Sequence, residues 1–248
     1  MIKNSSSFDA LRSHIAALSS PSLIQKDSDG FYQLTTDASG NGGALIRFLP
    51  SKGSDGVPVV KLCNHAFKSE YGKWFIENCP GTINLACPVC DSNRELFSTR
   101  NEEDKKLALA RKAKTYHVSN ILVVKDPKAP QNEGKVFLYK YGVRVLDKIK
   151  DVLQPQFEDL LPIDPFDPYE GANFRLRVTK TGAFPDYDKS VFEQPSPLGD
   201  EEMVNGILSR CRPLQSVVEP KNFKAYDELK AKFEKIIGAE SATNAYRA

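Results

Sequence analysis

Within 28 residues the chain reads Cys63-Asn-His65, thirteen residues, Cys79, seven residues, Cys87-Pro-Val-Cys90, gathering four of its five cysteines and one of its three histidines. Zinc takes four nitrogen or sulfur donors in a tetrahedron, and a Cys-x-x-Cys turn delivers two thiolates from one knuckle. His65 and Cys79 are close enough in sequence for a short hairpin to bring them to the same ion. The spacing predicts a structural Cys₃His zinc site built from His65, Cys79, Cys87 and Cys90. Cys63 stands two residues before His65, on the same side of a strand, so it either replaces His65 as fourth ligand or is a small buried apolar residue.

A metal staple of this kind does not by itself define a domain. At 248 residues there is ample chain for one large domain or two small ones, and five cysteines, four of them clustered, suit a reducing compartment better than a disulfide framework. No uncharged apolar run approaches the length of a membrane span, and Met-Ile-Lys-Asn-Ser-Ser-Ser at the start lacks a signal-peptide core, so a cytoplasmic protein without membrane contact is expected. The net charge of +2 hides an uneven distribution. Residues 101–150 carry twelve Lys and Arg against six Asp and Glu, whereas residues 151–170 carry six acids and no Lys or Arg. A basic tract beside an acidic one fits a polyanion groove with a repelling wall, or simply a mixed solvated surface.

Periodicity sets out the elements. Ser7 offers an N-cap to an amphipathic helix through Phe8, Leu11, Ile15 and Leu18. Strands are expected at 44–49, 57–67, 73–76, 115–124, 135–141 and 174–178, the last with Arg175 and Arg177 opposite Phe174, Leu176 and Val178. Residues 91–114 read as a charged helix, the loop 126–134 as flexible, and Val145, Ile149 and Leu153 as a helix stripe. Two helices, over 201–211 and 222–237, close the chain, with Gly238 as the stop. Short strands around turns with a zinc insertion and edge helices fit an α+β protein with a Greek-key barrel of the OB type.

The zinc chemistry of nucleobase deaminases needs His-x-Glu and Pro-Cys-x-x-Cys. Here Phe67 stands where the Glu is required, Ala86 where the proline is, and Cys79 closes the fourth position. Gly-x-Ser-x-Gly, Walker A and Gly-x-Gly-x-x-Gly motifs are also lacking, so the sequence points to a binding protein rather than an enzyme. The positive signal is aromatic residues among cations. Arg111-Lys112-Ala-Lys114-Thr-Tyr116 sets three cations before a ring. Lys135-Val-Phe-Leu-Tyr-Lys-Tyr puts Phe137, Tyr139 and Tyr141 on one strand face and Lys140 on the other, and the loop Phe184-Pro-Asp-Tyr187 offers two rings. Stacking contributes about 1–3 kcal/mol per base without regard to sequence, while Lys and Arg follow the phosphates. For Phe137 and Tyr139, core packing is an equal alternative. A zinc-stabilised protein-interaction module is the competing function.

Several runs carry a resemblance: Ile46-Arg-Phe-Leu-Pro-Ser-Lys52, Lys73-Trp-Phe-Ile-Glu-Asn-Cys79, Cys87-Pro-Val-Cys90, Asn120-Ile-Leu-Val-Val-Lys-Asp-Pro127, Asn132-Glu-Gly-Lys-Val-Phe137 and Glu170-Gly-Ala-Asn-Phe174. Over about 40–190 the chain resembles T-even-type bacteriophage single-stranded DNA-binding proteins. The resemblance implies an OB-fold core, one structural zinc on His65, Cys79, Cys87 and Cys90, and no catalysis. It implies a DNA cleft matched here by Arg47, Lys112, Lys114, Tyr139, Phe184 and Tyr187, to which Arg111 and Lys140 add charge. It further implies cooperative coating of single strands during viral replication, recombination and repair in the host cytoplasm, with viral replication proteins as partners. On that basis residues 1–20 form a self-association arm, residues 21–238 the core with a zinc subdomain at about 60–110, and residues 239–248 a disordered end. The family's basic arm cluster is reduced here to Lys3, and Ala113 and His117-Val118 replace a cation and an aromatic pair. No acidic tail is expected, since six Lys and Arg face four Asp and Glu from Lys221 onward.

Overall fold

The computed structural model describes residues 30–52, 56–69, 72–182 and 184–244. The amphipathic segment 8–18 lies outside them. Eight antiparallel strands make one curled sheet: β1 (Gly42–Leu49), β2 (Val60–Lys68), β3 (Trp74–Asn78), β4 (Lys114–Lys125), β5 (Val136–Tyr141), β6 (Ala172–Thr181), β7 (Phe184–Asp186) and β8 (Val191–Pro195). The six expected strands are all present. β7 and β8 are additions, so Phe184 begins a strand paired with Thr181 rather than lying in a loop.

The long strand β4 organises the sheet. β5 pairs residues 117–122 of β4 on one edge. A strand has two edges, so β2, pairing 114–118, and β1, pairing 120–125, must share the other. β4 therefore belongs to two lobes. In the first, β1 lies between β4 and β6 and its register to β4 slips between Leu45 and Ile46, an irregularity of the kind that bends a strand. The concave side closes over Ile46, Phe48, Ile121, Val123, Tyr139, Tyr141, Phe174 and Leu176, with Val145 and Ile149 of helix α3 (Val143–Leu153) as a lid. Phe48 sits among the rings of Tyr141, Phe166, Phe174 and Phe192 at centroid distances of 5.6–6.1 Å.

In the second lobe the β2–β3 hairpin packs on α1 (Pro88–Ser98), α2 (Glu102–Arg111) and α5 (Tyr226–Asn244), around Phe67, Phe75, Val89, Leu229, Phe233 and Ile236. The helix expected over 91–114 is two helices. Arg100 adopts a left-handed φ of 59°, and Asn101 caps α2 by accepting from the Glu103 amide at 2.9 Å. α4 (Glu201–Leu208) covers Leu49 and Leu122 on the convex side. The last helix does not stop at Gly238 but runs to Asn244, so the expectation of disorder from 239 is corrected over 239–244. A glycine without an immediate proline weakens a helix by about 1 kcal/mol and does not end it. Among the described residues no helix is long and apolar enough to cross a membrane.

The 126–134 loop is tied down. The Asp126 carboxylate is buried and accepts from the Tyr32 hydroxyl at 2.8 Å and the Ala129 amide at 3.1 Å, while the Asp126 amide donates to Glu133 at 2.9 Å.

Candidate functional site

Each cysteine of the cluster is placed by a local device. His65 lies mid-β2. Cys79 follows β3 directly, and its amide donates to the Cys63 carbonyl at 2.8 Å. Cys87 is the N-cap of α1, Pro88 opens the helix, and Cys90 sits in the first turn, so the two thiols share one helix end. An N-terminal dipole and unpaired amides favour thiolates there. Hydrogen bonds from Cys79 and Cys90 pull the Cys87 thiol well down, and hydrogen bonding to Cys87 and then Cys90 pushes Cys79 up.

The four donor atoms all lie within 4.8 Å of one another. Cys79 Sγ is 3.6 Å from Cys90 Sγ, and His65 Nε2 is 3.4 Å from Cys87 Sγ and 3.6 Å from Cys90 Sγ. The His65 ring is fully buried, and its Nδ1 lies 2.9 Å from the Arg111 carbonyl. A carbonyl only accepts, so Nδ1 carries a hydrogen, and Nε2, which faces the sulfurs, is the atom whose lone pair would go to a metal once its proton has left. Burial opposes charge on this ring, but hydrogen bonds to Cys87, Cys90 and the Arg111 carbonyl raise its pKa to about 10. Such a group can hold one metal ion. Cys63 is outside it: its sulfur contacts Thr115 Oγ1 at 3.6 Å.

The residues expected to meet DNA divide into two sets. Three are interior. Arg47 is fully buried, donating to the carbonyls of Asp167 at 3.0 Å and Ser196 at 2.9 Å, and burial lowers its pKa. Arg111 is 6% exposed, with its guanidinium over the rings of Phe67 and Phe233 at 5.8 and 5.5 Å. Tyr139 is 5% exposed within the barrel core, where desolvation raises its hydroxyl pKa. For these three the expectation of a surface contact is corrected: in this conformation each serves packing.

The others reach the surface. Lys112 and Lys114 are exposed just before β4 and at its start. Lys140 is exposed, with its ammonium 4.8 Å from the centre of the Tyr116 ring, and partial shielding there lowers its pKa. Tyr187 is half-buried, with its pKa raised by burial and then by nearby Tyr116. Phe184 lies on the backbone of β7. Lys140, Lys180, Tyr187 and Pro185 line an open cleft of about 440 Å³, floored by Tyr32 and Tyr139. Tyr116 and Lys180 were missing from the expected set. Tyr116 followed the basic run and was within reach of sequence reasoning, whereas Lys180 enters only through the pairing of β6 with β7.

The fold and site define a class of protein in which a curled sheet carries a cysteine–histidine cluster, with exposed lysines beside rings along one strand pair. The chain belongs to the family described as gp32 DNA binding protein like, which matches residues 40–237. It is 40% identical over 223 residues to the Single-stranded DNA-binding protein of Enterobacteria phage T2, covering 87% of this chain and 72% of that relative. It is 38% identical over 236 residues to that of Enterobacteria phage T4, covering 92% and 77%.

Proposed function

We propose that this protein binds single-stranded DNA without sequence preference and coats it during bacteriophage replication, recombination and repair. The likeness to the phage T2 and T4 proteins, named for single-stranded DNA binding, over 87% and 92% of the chain carries this reading. The curled sheet acts as an OB-type barrel. This is supported by β1 pairing both β4 and β6 around one enclosed core, and by the bend at Leu45. Lys112, Lys114, Lys140 and Lys180 follow phosphates, and Tyr116, Phe184 and Tyr187 stack on bases. Arg47, Arg111 and Tyr139 hold the frame from within. Residues 1–20 serve self-association along the strand, and replication and recombination proteins of the same virus are the partners.

The ion in the cluster is zinc in a structural role. Arms of about 2.3 Å to sulfur and 2.0 Å to nitrogen give tetrahedral edges of about 3.8 and 3.5 Å, close to the separations of 3.6 and 3.4 Å present here. Three cysteines and one histidine fill all four positions, leaving none for a substrate.

The test is a titration of fluorescently labelled oligo-dT against protein at several salt concentrations. Affinity should fall with salt at a log–log slope of about −0.7 per neutralised phosphate, and duplex should compete poorly. A flat salt response or equal duplex binding overturns the reading.

A further inference from the structure

The β2–β3 hairpin has one face whose outer end none of the described residues covers. Cross-strand partners point to the same side. The register Lys68↔Trp74, Ala66↔Ile76, Asn64↔Asn78 and Asn64↔Lys114 therefore puts Trp74, Ile76, Lys68 and Lys114 on one face of β3–β2–β4. The other face is filled by Phe67, Phe75, the cysteines and α5. On the first face, Leu214 and Phe223 pack over Val60, Leu62 and Val118, and the Asn78 amide donates to the Asn222 carbonyl at 3.2 Å. Past that point the described residues leave the sheet open: Trp74 is 57% and Ile76 56% exposed.

Charge says what the bare end fits. No Asp or Glu occupies an even-numbered position of β2 or β3, or residues 114, 116 and 118. The single carboxylate of the two strands, Glu77, lies on the opposite face and is held by Lys224 and Lys232. Among the described residues Lys68 and Lys114 have no ion-pair partner, so both cations are open to an anion. An exposed indole paired directly with a free lysine, on strand positions without carboxylates, has the chemistry of a base-stacking platform beside a phosphate.

We propose that a single strand passing Lys112 and Lys114 continues over Lys68 and stacks a base on Trp74. Lys68 lies four residues along β2 from Asn64, about 13 Å, which is a short reach for a strand occupying about 4–16 nucleotides per OB-type fold. The subsite rests on the single-stranded DNA reading above and extends it onto the zinc lobe.

Trp74 is the only tryptophan of the chain, so indole emission reports this site alone. Binding is followed independently by the anisotropy of labelled oligo-dT. Saturating oligo-dT should quench Trp74 emission, and Trp74→Ala should weaken binding about 5- to 150-fold, with Trp74→Phe restoring most of the loss. Lys68→Ala should flatten the log–log salt slope by about 0.7. Metal content and melting temperature check that each variant is folded. If oligo-dT binds normally while Trp74 emission and Trp74→Ala affinity stay unchanged, the subsite is overturned and the general reading stands. If Trp74→Ala instead abolishes self-association at unchanged oligo-dT affinity, the face belongs to a second copy and the proposal fails. If the wild type does not bind oligo-dT, both readings fall.

Discussion

Arg47 adds a side-chain tie to two segments that meet where β6 pairs with β8. Its guanidinium reaches the carbonyls of Asp167 and Ser196, fixing the 164–171 loop and the end of β8 against β1. Gly171 fits beneath it because a Cβ there would come within 2.4 Å of the Asp167 carbonyl oxygen. Truncation would leave the half-buried Ser196 carbonyl without this donor and Asp167 with the Gly171 amide alone, at about 1–3 kcal/mol for an unmet group, and would empty a fully buried side-chain site. Arg47→Ala should therefore lower unfolding free energy by about 3 kcal/mol in a denaturant titration, with oligo-dT affinity of the folded fraction little changed. His117 makes a second prediction. Its half-buried ring lies against Tyr141, with Nδ1 lacking a partner, and burial followed by Lys150 and Lys61 lowers its pKa. A base with a depressed folded pKa binds fewer protons folded than unfolded. Its contribution is thus complete above the unfolded value, near 6.5, and is lost as pH falls below it. His117→Gln should flatten the decline in melting temperature between about pH 6.5 and 5 relative to wild type. Both residues show where sequence reasoning stops. The alternation of Phe137, Tyr139 and Tyr141 was legible, but which face curls inward depends on β4 having β5 on one edge and two strands on the other. The same closure hides Arg47, whose charge in the sequence looks like that of an exposed cation.

At the scale of elements, the cysteine–histidine cluster ties the β2–β3 hairpin, at mid-β2 and the end of β3, to the start of α1. The apolar contacts around it bring in α5 through Leu229, Phe233 and Ile236. This set of ligands was legible because metal geometry fixes spacing, whereas β7 and β8, only three and five residues long, carry too little alternation to register. The break between α1 and α2 turns on a single left-handed Arg100, a conformation the residue type does not announce. Cys90→Ser should lose the metal and raise amide hydrogen exchange across β2, β3, α1 and α5, leaving β1 and β6 protected. Mass spectrometry that finds stoichiometric zinc retained, or exchange that rises evenly through both lobes, contradicts the assignment. Cys63→Ser should leave the metal in place.

Besides the shared strand β4, the cysteine–histidine lobe reaches the basic run through the Arg111 carbonyl. Arg111 ends α2, its C=O accepts from His65 Nδ1, and the next three residues are Lys112, Ala113 and Lys114, which lead straight into β4. A bound ion would fix the His65 ring, the ring holds the Arg111 carbonyl, and that carbonyl immediately precedes the two exposed lysines. The Arg111 side chain reinforces this by lying between Phe67 of β2 and Phe233 of α5. Metal removal should accordingly act on DNA binding as loss of two placed cations rather than as loss of the barrel, whose core of Phe48, Phe174 and Tyr141 shares no residue with the cluster. Chelation under reducing conditions should weaken oligo-dT binding and flatten the log–log salt slope by up to about 1.4, two phosphates at about 0.7 each. The Lys112→Ala/Lys114→Ala double variant should show the same flattening with metal present, and chelating that variant should flatten the slope little further. Full additivity of the two losses would mean that the ion supports binding by a route other than these lysines. Lower pH should favour the stripped state, because protons compete with the metal for three thiolates and the His65 lone pair.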